Sequence, residues 1–270
     1  VIGDLVDEAA LGELVAGADA VVHAAGAIRA RSRADFHATN AVATARLGRL
    51  AAAAGPRRFV YVSSLAAREP RLSAYAASKR AGEEALAGLS LATLALRPPV
   101  VYGPWDEATL VLFRLARAGL ALRPGRRDAR LAFVHVEDLA RAVVAALPTE
   151  LTGTFAIDDG HPGGYGWDEA LAHLARAVGV PLRVVSLPAA VALPVAGIAA
   201  AASRVVGRAP LVTWGKAREA FHPDWTCEND RLRLADWSPR HGLAEGFAAA
   251  AGWYRAEGLL RPPPHARNVR

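Results

Sequence analysis

Apolar and polar positions in the first half of the chain follow two alternating rhythms. Ala20 to Ala24, Arg58 to Ser63 and Leu91 to Leu96 are short apolar runs of the length of buried strands. Between them, Ala34 to Ala54 and Ser73 to Leu89 carry the three-to-four spacing of helices. Gly55-Pro56 stops the first helix, and Pro98-Pro99 ends the third strand-like run. Strands separated by helices and joined by short links predict right-handed crossovers. They therefore predict a parallel sheet covered by helices on both faces. Val1 to Leu5 reads as the end of one more buried strand.

The second half has a different texture. Helices are predicted over Asp106 to Ala118, Glu137 to Leu147, Asp168 to Val178 and Leu243 to Tyr254, with a strand over Leu131 to Val136. Leu187 to Val206 is the most apolar stretch, but Pro188, Pro194 and Arg204 interrupt it. A packed pair of helices is expected there rather than a membrane span. The tail from Arg261 is expected to be disordered. The fold class is therefore α/β, a doubly wound parallel sheet over residues 1–150 with a smaller lobe over 151–260.

Charge changes little. Thirty-two basic against twenty-six acidic side chains leave +6, yet the arginines are scattered among acids, without a basic stripe interleaved with aromatics. No nucleic-acid partner is expected. Cys227 stands alone, so no intrachain disulfide can form, and a reducing, cytoplasmic compartment is expected. The eight histidines and one cysteine show no zinc spacing, and no metal is expected. The chain has no methionine and opens on a strand-like run, which reads as an N-terminally incomplete chain.

Candidate chemistry centres on Tyr75-Ala76-Ala77-Ser78-Lys79. Positions four apart share one face of a helix. The phenol and the ammonium therefore point into one space, where the cation would lower the phenol's pKa toward the working range. Ser63-Ser64 ends the preceding strand, at the carboxyl edge where open parallel sheets put their ligands. A hydroxyl there can hold a substrate oxygen toward Tyr75. His135 reads as a core histidine. Trp214, Trp225 and Trp237 read as packing of the lobe, with a place in a substrate cleft as the alternative.

In order and at near-family spacing, these residues resemble the extended short-chain dehydrogenase/reductase superfamily, the NAD-dependent epimerase/dehydratase branch. Beyond the pieces quoted above, the resemblance rests on several landmarks. They are Asp19-Ala20-Val21-Val22-His23-Ala24-Ala25-Gly26, Asn40 with Thr44, Arg97-Pro98-Pro99-Val100-Val101-Tyr102-Gly103-Pro104, and Phe133-Val134-His135-Val136-Glu137-Asp138. It implies a Rossmann-like domain binding NAD or NADP over 1–150 and a lobe binding a small-molecule substrate over 151–260; a homodimer is compatible with it. Carried over by position, Tyr75 would be the general acid/base, and Ser64 would orient the reacting oxygen. Lys79 would hold the ribose and lower the pKa of Tyr75. Asp4 and Leu5 would contact adenine, while Ala24, Ala25, Gly26, Asn40 and Pro99 would line the cofactor. Asn40 has a second reading, as a strand-to-helix cap.

Departures from the family pattern narrow the function. The Gly-rich phosphate turn, and the residue that selects NAD or NADP, would precede Val1. Gly160-His161-Pro162-Gly163-Gly164-Tyr165-Gly166 matches the turn's spacing, but Pro162 lacks a donor and Asp158-Asp159 bring negative charge, so it reads as a coincidence. The segment from Ser64 to Tyr75 is short, Val100 stands where sugar-nucleotide enzymes carry Asn, and Leu65-Ala66 follow the serine. The leading expectation is an NAD(P)-dependent oxidoreductase acting on an alcohol or ketone of a fairly apolar molecule. The alternatives are a sugar-nucleotide epimerase and a catalytically idle assembly factor that holds the cofactor.

Overall fold

The computed structural model describes residues 1–205, 213–228 and 231–262. The chain opens with α1 (Glu8–Val15), β1 (Ala20–His23), α2 (Arg33–His37), a π-helical turn (Ala38–Val42) and α3 (Ala43–Ala54). Next come β2 (Arg58–Val62), a 3₁₀ turn (Leu65–Arg68), α4 (Ala74–Ala87), β3 (Thr93–Arg97) and β4 (Val100–Tyr102). α5 (Glu107–Arg117), β5 (Leu120–Pro124), β6 (Arg130–Leu131), β7 (Phe133–His135), α6 (Val136–Ala146) and β8 (Gly153–Ala156) follow. The remainder holds β9 (Tyr165–Gly166), α7 (Trp167–Val178), β10 (Arg183–Leu187), α8 (Ala189–Val205), α9 (Trp214–Ala220) and α10 (Leu243–Ala256).

Four parallel strands in the order β1-β2-β3-β8 form the central sheet. The register pairs Val21 with Phe59, Val60 with Leu94, and Ala95 with Thr154. Side chains alternate across a strand, and β2 shows the consequence. Phe59 and Tyr61 enter one core with Leu11, Val15, Leu47 and Leu86 from α1, α3 and α4. Val60 enters the opposite core with Leu94, Leu96, Val134 and the α6 residues Ala142, Val143 and Ala146. Both faces are therefore covered, as a parallel sheet requires. A third core joins Tyr102, Phe113 and Phe133 to Leu171, Phe247 and Tyr254, so the helical lobe draws residues from both sides of position 150.

Several sequence expectations change. Val1 to Leu5 forms no strand; the Asp4 carboxylate accepts the N–H groups of Val6 and Asp7 (2.8 and 3.2 Å) and turns the chain into α1. The strand expected over Leu131 to Val136 divides into β6 and β7, which pair with different partners. Leu187 to Val206 holds β10's last residue and the single helix α8, with Pro194 inside it, rather than a pair of helices. Trp237 packs in the core between sheet and α6, not in the lobe. The long helix ending at Gly55, which caps it in the left-handed conformation (φ 76°), carries the π turn in its middle. No helix among the described residues is long and apolar enough to cross a membrane. The expected disorder of the tail falls, from residue 263 on, outside the described residues.

Close packing of α4 against the π turn depends on Gly82. A Cβ there would stand 2.6 Å from the Asn40 carbonyl oxygen and 2.7 Å from the Tyr61 hydroxyl. The carbonyl is backbone and cannot swing aside. Gly82→Ala is therefore expected to destabilise the protein by about 1–3 kcal/mol through overpacking, measured as a lower midpoint in urea. An unchanged midpoint would mean that α4 and the π turn can separate freely.

Candidate active site

Helix α4 brings the candidate residues together. Ser73 caps it, its hydroxyl accepting the Ala76 N–H at 2.8 Å, and Tyr75 and Lys79 follow one turn apart. Lys79 is buried, and its ammonium donates to the carbonyl of Val62 (2.8 Å) at the end of β2 while lying 4.8 Å from the centre of the Tyr61 ring. Burial lowers its pKa to about 8, with the Glu83 carboxylate acting in the opposite direction.

The Ser64 hydroxyl lies near enough to the Tyr75 phenol to act on its pKa. Burial pushes the phenol up to about 12; the Ser64 hydroxyl acts downward and the negative charge of Glu219 upward. The Lys79 ammonium is engaged by the Val62 carbonyl. What faces the phenol ring instead is Lys216 of α9, its ammonium 5.0 Å from the ring centre, with Phe36 edge-on at 6.0 Å.

Asn40 is neither a cap nor free to reach a ligand with its amide. It lies in the π turn, a feature common at functional sites. Its Oδ1 accepts the Ala27 N–H (2.7 Å), and its Nδ2 donates to the Ala27 carbonyl and the Ser78 hydroxyl (2.9 Å each). The side chain thus pins the loop after β1 to α4. Pro99 sits between β3 and β4, beside the Pro98 carbonyl that accepts the Leu65 N–H at 2.8 Å. Asp4 and Leu5 stand in the turn before α1, where the Leu5 carbonyl accepts from Arg46 (2.9 Å). Among the described residues no hydrogen bond joins them to Ser64, Tyr75 or Lys79.

Sequence reasoning missed two groups. Ser63 donates to Glu83 (2.6 Å), which also takes both arms of Arg97 (2.6 and 2.9 Å); serine and carboxylate are buried and the arginine nearly so. The spacing of Lys79 and Glu83, one turn apart on α4, was the available signal. The second group is α9. Its Glu219 accepts from the Ser73 hydroxyl, and its Gly215 sits where a Cβ would meet Ser73 Cβ at 2.7 Å. Together α9, the Ile28–Arg33 loop and α8 enclose a cavity of about 250 Å³ with Tyr75 in its wall. Trp214, half exposed, lines this cavity, whereas Trp225 is packed into the lobe. The structure also gathers His135, Glu137 and His241 within 4.8 Å. The two imidazoles stack at 4.1 Å and His241 Nδ1 bonds to buried Asp138.

One end of this site has the small, exposed backbone that a dinucleotide would need. Ala24, Ala25 and Gly26 leave the carboxyl end of β1 exposed, and a Cβ on Gly26 would come within 3.1 Å of Asn40 Oδ1 and 3.4 Å of Lys79 Nζ. That is a cradle into which a ligand can bring its ribose close to backbone and ammonium. The Gly160–Gly166 loop does not offer the phosphate end. Its N–H groups are spent on Asp158, Asp159, Glu228 and the His161 carbonyl, which supports the reading of its glycine spacing as coincidence.

The buried pair of Glu83 and Arg97 yields a direct test. Glu83→Gln leaves the guanidinium half-matched in a dry setting, and loss of about 3 kcal/mol of stability is expected, read as a fall in thermal midpoint. A fall of under about 1 kcal/mol would show that water screens the pair.

Comparison with known proteins gives the family. Residues 1–157 match the model of the NAD dependent epimerase/dehydratase family. The chain is 40% identical over 261 residues to the ceramide reductase of Caulobacter vibrioides, covering 96% of this chain and 81% of that protein. The Bordetella bronchiseptica enzyme WbmG, solved with NAD and UDP, superposes with a TM-score of 0.66 at 18% identity, covering 96% of this chain and 81% of that one. The UDP-N-acetylglucosamine 4-epimerase of Bacillus cereus gives 0.65 at 20% identity, covering 97% and 85%. At such identities the two structures speak to the fold, which is theirs. The family match and the reductase relative together place this chain in the NAD-dependent epimerase/dehydratase family, as an enzyme of the extended short-chain dehydrogenase/reductase type.

Proposed function

We propose that this enzyme reduces a ketone to an alcohol on a long, largely apolar molecule, with NAD as the cofactor and Tyr75 as the acid. The observation that carries the reading is the Ser64–Tyr75 hydroxyl pair beside a cavity whose wall holds Ile28, Phe36, Ala200 and Trp214 as well as charged groups, Arg29, Lys216 and Glu219 among them. When bound, the nicotinamide supplies the hydride. Tyr75, with its pKa pushed up to about 12, is protonated at neutral pH and can give its proton to the carbonyl oxygen. Ser64 is placed to hold that oxygen by a second hydrogen bond. Lys79 and the Gly26 cradle are placed to hold the ribose, and Asn40 keeps the loop and helix in register. The relative named ceramide reductase supports an N-acylated long-chain substrate. The sugar-nucleotide alternative has less support, since Val100 offers no side-chain hydrogen bond to a polar ligand.

Tyr75→Phe is expected to lower turnover at least about 100-fold while dinucleotide affinity, measured by calorimetry, stays within about twofold. The phenol acts only on the reacting oxygen. Turnover near that of the unaltered enzyme would remove Tyr75 from the chemistry. Saturable epimerisation of a UDP-sugar would replace the proposed substrate class.

A further inference from the structure

The acid of the proposed reaction is flanked by a second lysine, supplied by α9. The Lys79 ammonium is bonded to the Val62 carbonyl and lies against the Tyr61 ring. Lys216 lies over the ring of Tyr75, 5.0 Å from its centre, and both residues stand in the wall of the same cavity. Phe36 meets the ring edge-on at 6.0 Å.

The backbone under Lys216 is fixed at several points. Thr213 caps α9, its hydroxyl accepting the Lys216 N–H at 3.1 Å. Arg218 donates to the Arg71 carbonyl (3.0 Å), and the Trp225 indole donates to the Glu219 carbonyl (2.9 Å). Gly215 packs so closely on Ser73 that a Cβ would stand 2.7 Å from the serine Cβ. The Glu219 carboxylate accepts from the Ser73 hydroxyl and lies 3.6 Å from the Lys216 ammonium. Because Ser73 caps α4 two residues before Tyr75, α9 is fastened to the very turn that carries the phenol.

Charge gives this arrangement a use. Tyr75 passes its proton to the carbonyl oxygen as the carbon takes hydride from the reduced dinucleotide. The alcohol forms, and a phenolate remains until water returns a proton. Its negative charge spreads over oxygen and ring, so a cation over the ring face gains attraction as the proton leaves. An interaction that strengthens along the reaction raises kcat rather than affinity.

We infer that Lys216 is a positioning residue for Tyr75, its ammonium holding the ring in the cavity wall and steadying the phenolate left by proton transfer. The role rests on the proposed function, whereas the contact between ammonium and ring does not.

Two measurements test it. In a lysine-labelled sample the ε-methylene protons of Lys216 should be shifted upfield by the Tyr75 ring, and should return to their ordinary position in Tyr75→Leu. That arm needs no turnover. The other follows NADH-dependent reduction of an N-hexanoyl long-chain aminoketone. Lys216→Met should lower kcat about five- to tenfold with KM nearly unchanged, and Lys216→Arg should recover most of the loss. The Lys216 side chain is 51% exposed, so the thermal midpoint should not move. In a Tyr75→Phe background, Lys216→Met should cost less than about twofold further, because no phenolate forms. Ordinary ε-methylene shifts, or an equal loss with and without the phenol, overturn the inference. A rise in KM at unchanged kcat overturns it too, making Lys216 a substrate contact. Full turnover by Tyr75→Phe would sink the proposed function and the role of Lys216 with it, a result distinct from the others.

Discussion

The ammonium of Lys79 is held out of water at the end of the central sheet, and the geometry of the site follows from how it is satisfied. One hydrogen bond goes to the Val62 carbonyl, where β2 stops and its backbone partners run out. The Tyr61 ring lies against the cation, and the Glu83 carboxylate one turn along α4 offsets part of the burial penalty. Glu83 is itself neutralised by Arg97 from β3 and held by Ser63 from the end of β2. Helix and two strands are thereby locked in one register. Burial, helped by the same cation, drives the His23 imidazole down to about 4, so it stays neutral, and it bonds to Thr44 (2.9 Å).

From that fixed point the remaining parts take their places. Gly82 lets α4 approach the π turn, and Asn40 then reaches both Ser78 and the loop after β1. Tyr75 is presented one turn before Lys79, at the N-terminal end of α4, where Ser64 on one side and α9 on the other close around it. The phenol is kept protonated by its dry surroundings, which suits a donor of protons more than an acceptor.

Much of this is legible in the sequence alone. Parallel strands could be read from apolar runs separated by helical periods, because burial on both faces removes the polar alternation. Tyr75, Lys79 and Ser64 were visible because helical spacing and a strand end are local properties. The partners of these residues were not. Glu219 is 146 positions from the Ser73 hydroxyl it binds, and no local pattern encodes such a pairing. The bond from Lys79 to the Val62 carbonyl was hidden for the same reason: spacing shows which face a side chain shares, not which carbonyl captures it. Val1 to Leu5 misled as a strand because a few apolar residues suit a strand or a loop equally, and the Asp4 turn settled it.

The burial of the Lys79 ammonium can be measured directly. Only Lys79 and Lys216 would give signals in a lysine-labelled sample, and Lys216→Arg would assign them. A pH titration of the Lys79 side-chain resonances by NMR should give a midpoint near 8. Because the folded value then lies below the ordinary 10.5, the neutral lysine is the form the fold prefers, and the charge should burden stability below about pH 8 and be relieved as pH rises. A midpoint at or above 10.5 would mean that burial does not burden the ammonium, and would contradict the account.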